Sequence, residues 1–146
     1  MAEAELGAAK NRLELEITES AAINDQASFH HLEKLAQAGI GIAIDDFGTG
    51  LTTFDYLAKV DIGVLKIDQS LVRAFNRAPD TYRKLLKAIT AVGSQCSLEV
   101  IAEGVENGGE VDKLITEIGL RKFQGWHFGK AVTPDEFFTA HTNFGA

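Results

Sequence analysis

Ile40-Gly41-Ile42-Ala43-Ile44-Asp45-Asp46-Phe47-Gly48-Thr49-Gly50 is the stretch on which the reading of the whole chain turns. Ile40, Ile42 and Ile44 alternate with Gly41, Ala43 and Asp45, the period of two that marks a strand. One side of that strand is β-branched and suits packing against helices, while the other is small and ends in a carboxylate. Just before it, residues 26–38 repeat apolar groups at helical spacing, with Phe29, Leu32, Leu35 and Ala36 on one face. Asp25 suits the N-cap of that helix and Gly39 its C′ position.

The same strand-and-helix unit recurs in both directions. Upstream, residues 13–18 (Leu-Glu-Leu-Glu-Ile-Thr) alternate cleanly as a strand. Downstream, a short helix over residues 52–58 leads to a strand at 64–68. Asp80 is then predicted to cap a longer helix in which Leu85, Leu86, Ile89 and Val92 share a face. A strand at 98–103, a helix at 109–118 ending at Gly119, and a strand at 123–128 follow. Thr133-Pro134-Asp135-Glu136 reads as a capping box with proline at the first helical position, opening a terminal helix.

Strands alternating with helices predict an α/β fold with a parallel sheet and right-handed crossovers. Five strands fit either an open doubly wound sheet or an arc of a (β/α)8 barrel. A full barrel takes about 250 residues, and this chain has 146. The barrel reading is therefore of a partial TIM-type (β/α)8 barrel, about five parallel strands with flanking helices, in a single domain over residues 1–146.

Composition narrows the function classes. Hydrophobic residues make up 45% and charged residues 24%, values of an ordinary globular chain. No apolar run is long enough to span a bilayer, so no membrane insertion is expected. Met1-Ala2-Glu3-Ala4-Glu5 lacks the features of a secretory signal. The single cysteine, Cys96, forbids an intrachain disulfide and suits a cytoplasmic setting. A net charge of −7 argues against DNA or RNA as partner. It still allows a phosphorylated ligand if divalent metal lies between carboxylates and phosphate.

Barrel strands point alternate residues inward, and functional groups gather at their C-terminal ends. By that rule Glu14, Glu16 and Thr18 face inward from the first strand, and Asp45 from the second. Lys66 faces inward from the third, Glu103 from the fourth and Gln124 from the fifth. A lone acid among these reads best as a strand-end cap or a partner of Lys66. Five polar groups in phase at matching strand ends favour a site, since clustered carboxylates with one lysine suit divalent metal and phosphate.

The ordered series Leu13-Glu14-Leu15-Glu16-Ile17-Thr18-Glu19-Ser20, Ile44-Asp45-Asp46-Phe47-Gly48-Thr49-Gly50, Leu65-Lys66-Ile67-Asp68, Val100-Ile101-Ala102-Glu103-Gly104-Val105-Glu106 and Phe123-Gln124-Gly125 resembles the motifs of EAL domains. The resemblance runs from about Leu13 to Phe137. It implies metal-dependent hydrolysis of the bacterial second messenger cyclic di-GMP to pGpG, with Mg²⁺ or Mn²⁺. Carried over by position, it makes Glu16, Asp45 and Asp46 metal ligands, with the two aspartates serving a two-metal centre. Lys66 would hold the attacking water and phosphate charge, and Glu103 would be general base or water-orienting group. Glu106, Gln124 and Gly125 would complete the substrate pocket. Glu19 would anchor the loop carrying Gly48, Thr49 and Gly50, which in the family couples metal binding to dimerisation.

The same resemblance places the family's Glu-Ala-Leu motif and an asparagine ligand upstream of Met1, so the chain corresponds to strands four to eight of the family barrel. Glu3-Ala4-Glu5-Leu6 lies too near the first strand to supply that motif. The expectation is a truncated EAL-like domain, weak or inactive alone, whose open edges are covered by self-association or by a complementary barrel fragment. The alternatives are a non-catalytic cyclic di-GMP binder and an interaction or assembly module. Leu51-Thr52-Thr53 and Trp126-His127-Phe128-Gly129-Lys130-Ala131 depart from the commoner family sequence.

The remaining features read more plainly. Asp46-Phe47-Gly48 matches a kinase triplet, but no glycine-rich or His-Arg-Asp loop accompanies it. His30 and His31 read as surface residues, and His127 and His141 are isolated. Trp126 reads either as a stacking surface for a base or as a packed core residue, and Cys96 as an inert small hydrophobe.

Overall fold

The computed structural model describes residues 13–18, 26–49, 57 and 60–141. The elements in chain order are β1 (Glu14–Thr18), α1 (Gln26–Gln37), β2 (Gly41–Phe47), β3 (Val64–Ile67), α2 (Gln69–Arg77), α3 (Pro79–Gln95), β4 (Glu99–Ala102), α4 (Gly108–Lys113), β5 (Lys122–Phe123) and α5 (Pro134–His141). A π-helical turn, Leu114–Ile118, prolongs α4. The predicted helix at 52–58, like Asp25 and Glu3 to Leu6, lies outside the described residues apart from Leu57.

All four strand pairings are parallel, and the sheet order is β1-β2-β3-β4-β5. A doubly wound sheet reverses its order at a switch point. This sheet never reverses, so each crossover advances one strand in the same sense. That is an arc of a (β/α)8 barrel. Among the described residues no helix is long and apolar enough to cross a membrane.

The core lies between the strands' outer side and the helices. Ile42 and Ile44 of β2 and Leu65 and Ile67 of β3 are fully buried. Leu32 of α1, Phe75 of α2 and Leu86 and Ile89 of α3 cover them. The alternation read from the sequence is thus realised in β2 and β3. The α1 face is realised too: Phe29, Leu35 and Ala36 pack against the cluster beside Leu32. Gly39 ends α1 in the left-handed region, and Gly119 does the same after α4.

Between β3 and β4 the structure corrects the expectation of one helix capped by Asp80. Two helices occupy this stretch. Asp68 caps α2 by accepting a hydrogen bond from the Ser70 amide at 2.8 Å. Its core face is Leu71, Val72 and Phe75. Pro79 then opens α3, so Asp80 sits inside its first turn and pairs with Arg83 instead of capping. Leu85, predicted on the buried face with Leu86, is exposed, because adjacent helical positions lie about 100° apart.

The fifth strand is also shorter than predicted. It covers Lys122–Phe123 instead of residues 123–128. The Gln124 amide still donates to the Ala102 carbonyl, but the chain then turns, with Phe128 N–H donating to Gly125 O. At the other end of the chain the capping box forms as read. Thr133 N–H donates to Glu136 Oε2 at 2.8 Å, and Glu136 N–H donates back to Thr133 Oγ1 at 3.4 Å.

One packing contact gives a direct test of this layering. Gly93 is buried in α3, and a Cβ there would collide with Cγ2 of Val100 in β4. Alanine raises helix propensity by about 1 kcal/mol, while forcing a methyl against a stiff β-branched side chain costs about 1–3 kcal/mol. Gly93→Ala is therefore expected to lower stability in denaturant titration. The double variant Gly93→Ala/Val100→Ala should recover much of the loss. A Gly93→Ala protein more stable than the parent would contradict the contact.

Candidate active site

Lys66 is the polar residue at the centre of the sheet, only 4% exposed. It sits on β3, between β2 and β4. Ile44 pairs with Leu65, and Lys66 pairs with Ile101, which puts Asp45 on one side and Glu103 on the other. Lys66 Nζ lies 2.8 Å from Glu103 Oε1 and 3.5 Å from Asp45 Oδ1. Glu16 reaches across from β1 to accept a third contact at 2.8 Å. Three of the predicted inward acids thus meet at the ammonium of a fourth predicted inward residue.

Asp46 joins them through a feature the alternation rule does not supply. In a regular strand Asp45 and Asp46 would point to opposite faces. Here the β2–β3 register slips between Ile44 and Phe47, so two aspartates stand opposite the single residue Lys66. This is a β-bulge. Asp46 takes a positive φ of 55°, a conformation that aspartate tolerates better than most residues. Its amide donates to Asp45 Oδ1 at 3.0 Å. Carboxylate oxygens of Asp45, Asp46 and Glu103 consequently all lie within 4.8 Å of one another.

The charges do not balance. One lysine faces three acids, with Asp46 beside them. Burial alone would depress the Lys66 pKa, but hydrogen bonds to Glu103 and Glu16 and the charge of Asp45 outweigh it and raise the value. Burial raises the Glu103 pKa, and the charges of Asp45 and Glu16 add to this against the opposing pull of Lys66. Asp46 is raised as well, first by desolvation and then by Asp45 and Asp68. Surplus negative charge in a constrained oxygen set is the setting that a hard divalent cation relieves. Asp45, Asp46 and Glu103 are the donors that fit one. Glu16, bonded to Lys66, is not in that set of three.

Beside the acids opens a cleft of about 900 Å³, within the size range of ligand sites. Asp46 and Glu103 form its acidic side, and Trp126, Phe128 and Phe137 its aromatic side. Gln124 and Gly125 line it too, on the far side of Glu103 from Lys66. Gly125 lies so close to the Val105 backbone that a Cβ would overlap its N, C and O atoms. The turn is held there by Val105 N–H donating to Gln124 O and His127 N–H to Val105 O. Trp126 is 69% exposed, so the packed-core reading is excluded, and Lys130 Nζ lies 5.1 Å over its ring.

Glu106 also lines the cleft, with its carboxylate 2.9 Å from Arg73 of α2. Thr49 closes the turn after Asp46, its amide and hydroxyl both donating to Asp46 O. Gly48 abuts the Leu71 side chain of α2 and has φ 97°, a backbone that side chains disfavour. Glu19 and Gly50, the other predicted loop residues, lie outside the described residues. Cys96 is exposed. Asp68, Arg73 and Lys130 also line the cleft, though the sequence reading gave none of them a role. The first two follow from recognising α2, whose signal is Leu71, Val72 and Phe75 behind a capping aspartate.

Known proteins are similar to this chain in sequence and fold. The family model described as "EAL domain" matches residues 2–131. The cyclic di-GMP phosphodiesterase PdeR of Escherichia coli is 38% identical over 121 residues, 82% of this chain and 18% of that protein. MucR of Pseudomonas aeruginosa, a bifunctional diguanylate cyclase and cyclic di-GMP phosphodiesterase, is 34% identical over 89% of this chain and 19% of that protein. A structure of the MucR phosphodiesterase with cyclic di-GMP superposes with TM-score 0.81 over 93% of this chain and 56% of that one, at 34% identity. BlrP1 of Klebsiella pneumoniae, in a manganese and cyclic di-GMP complex, gives TM-score 0.72 at 29% identity over 85% of this chain and 32% of that one. The chain spans less than a fifth of the length of the two curated relatives.

The Lys66 cluster is testable by stability alone. Removing a shared buried cation leaves its carboxylates unpaired, which costs about 3 kcal/mol. Lys66→Met is expected to lose roughly that much at neutral pH. The loss should shrink as the pH falls into the carboxylate range, because protonation removes the repulsion that the lysine had offset. A loss that stays constant over that range would show the acids are not coupled to Lys66.

Proposed function

The chain belongs to the EAL domain family, and from that premise we propose that it carries the Lys66, Asp45, Asp46 and Glu103 part of a centre that hydrolyses cyclic di-GMP to pGpG. The observation that carries this reading is the convergence of three carboxylates and one buried lysine, two of the carboxylates, Asp46 and Glu103, lining a cleft with aromatic residues. PdeR and MucR are named for the phosphodiesterase activity, which supports the choice of reaction.

Asp45, Asp46 and Glu103 would hold Mg²⁺ or Mn²⁺, with Glu16 contributing through its bond to Lys66. When bound, such an ion lowers the pKa of water and neutralises charge developing on the phosphodiester. The chain's own groups do the rest. Glu103, which contacts Lys66 and lines the cleft, would orient the attacking water or accept its proton. Oxygen from that water bonds to phosphorus as the P–O3′ bond breaks, and the leaving 3′ oxygen takes up a proton from solvent water. Lys66 keeps its proton throughout and offers positive charge to the phosphate oxygens. The aromatic wall, with Trp126 exposed at its edge, suits the flat face of a base.

We further propose that the open sheet edges are closed by additional strands, from a second copy of the chain or a complementary barrel segment. Among the described residues β1 pairs on one side only, and Leu13 and Leu15 are exposed beside it. A cytoplasmic setting agrees with the lone thiol and the ligand.

The deciding experiment follows pGpG formation and binding heat for the chain with cyclic di-GMP and Mn²⁺. Weak turnover is expected from the chain alone, and Glu103→Gln should lower it about a hundredfold or more, the usual loss for a general base, while still binding ligand. Absence of both turnover and heat rejects the proposal, and binding without turnover reduces it to a receptor. Asp46→Asn probes the metal separately. Asparagine keeps the left-handed backbone and removes one repelling charge, so the metal-free variant should be as stable as the parent or more so. Its gain in Tm from Mn²⁺ should vanish, whereas the parent gains about 2.7 kcal/mol at a hundredfold excess over Kd. An unchanged gain would exclude Asp46 as a ligand.

A further inference from the structure

We infer that Arg73 of α2 is a positioning residue. It fixes the Glu106 carboxylate in the cleft wall and so sets how tightly the cleft takes its ligand. This rests on the function proposed above and adds to it a residue outside the acidic cluster.

Arg73 and Glu106 both line the cleft, and Arg73 Nη2 donates to Glu106 Oε1 at 2.9 Å. The two side chains are 50% and 48% exposed. A pair that open to water adds little to folding stability, so its consequence is geometric. The backbone of Glu106 is held independently. Its amide donates to Glu110 Oε2 at 2.7 Å, and Asn76 of α2 donates to Glu110 Oε1 at 3.0 Å. Asn107 caps α4 by accepting from the Glu110 amide at 3.1 Å.

The loop between β4 and α4 is therefore gripped twice from α2, through Arg73 on the side chain of Glu106 and through Asn76 by way of Glu110. Closer to the acids, Gly104 is seated against Gln69, where a Cβ would collide with the Gln69 side chain. With its main chain fixed, the one freedom left to Glu106 is its side-chain rotation. Arg73 removes that freedom by engaging one oxygen. The other, Oε2, takes no hydrogen bond among the described residues and is left to accept from an N–H donor on the ligand. A side chain frozen before binding loses less entropy on binding.

Arg73 could act in a different way, as a cation touching the ligand's phosphate directly, and a double-variant cycle separates the two. KM and kcat for pGpG formation, and Kd for cyclic di-GMP by calorimetry, are measured with Mn²⁺. Arg73→Met is expected to raise KM and Kd about tenfold, the scale of coupling between groups in contact, with kcat held within about threefold. Arg73→Lys should recover part of the loss. Glu106→Gln should match Arg73→Met, and the double variant should be no worse than Glu106→Gln alone. Losses that multiply, a fall in kcat at constant KM, or an Arg73→Met protein equal to the parent would each overturn the inference. A parent chain with neither turnover nor binding heat would instead reject the underlying function, so the two failures are distinct.

Discussion

One ammonium shared among three carboxylates organises this molecule. Lys66 is nearly sealed from water, and an isolated charge there would be costly. Glu16, Asp45 and Glu103 supply its partners from three other strands. Each partner needs its own strand in register, so the ion cluster ties β1 to β4 more specifically than apolar packing could. Hydrophobic burial is non-directional and sets the side of each strand that faces the helices. The polar cluster sets which residues end up level with one another.

That cluster is over-supplied with negative charge. A cluster serving stability alone would pair Lys66 with a single acid, whereas here the pKa values of Glu103 and Asp46 are raised, meaning that their ionised forms are disfavoured where they stand. Strain of this kind at a strand end marks a functional site more often than a structural one. The bulge at Asp45–Asp46 adds to it, because it places a second aspartate, at positive φ, on the side that already has the most charge.

How much of this the sequence disclosed follows from which rules are local. Strand alternation is local, so the residue pattern alone assigns Glu16, Asp45, Lys66 and Glu103 to the inward side. The bulge depends on how two strands register, so only the family resemblance, and no periodicity, puts Asp46 beside Asp45. Helix α2 escapes the pattern because its nine residues present just Leu71, Val72 and Phe75 to the core. Its capping aspartate, Asp68, looks like the end of a strand. The early turn after Phe123 depends on the Val105 backbone packing against Gly125, a contact between segments far apart in sequence. Trp126 faces solvent for the same reason, since the turn carries it out of the sheet and into the cleft wall.

Helix α2 then has a part in the site that its position behind the sheet does not suggest. Leu71 abuts Gly48 in the turn after the bulge, Gln69 abuts Gly104 after Glu103, and Arg73 holds Glu106. Both acid-bearing loops thus rest on one rigid element, each at a glycine of positive φ. In the proposed function, a chain of net charge −7 would use divalent metal to offset the repulsion between its acids and an anionic phosphodiester. It can do so with small penalties only if the acids are already held apart at fixed spacing before anything binds. The strands alone set that spacing for Asp45 and Glu103. For the loops beyond them, where the sheet hydrogen bonds have ended, α2 is the surface against which the geometry is kept.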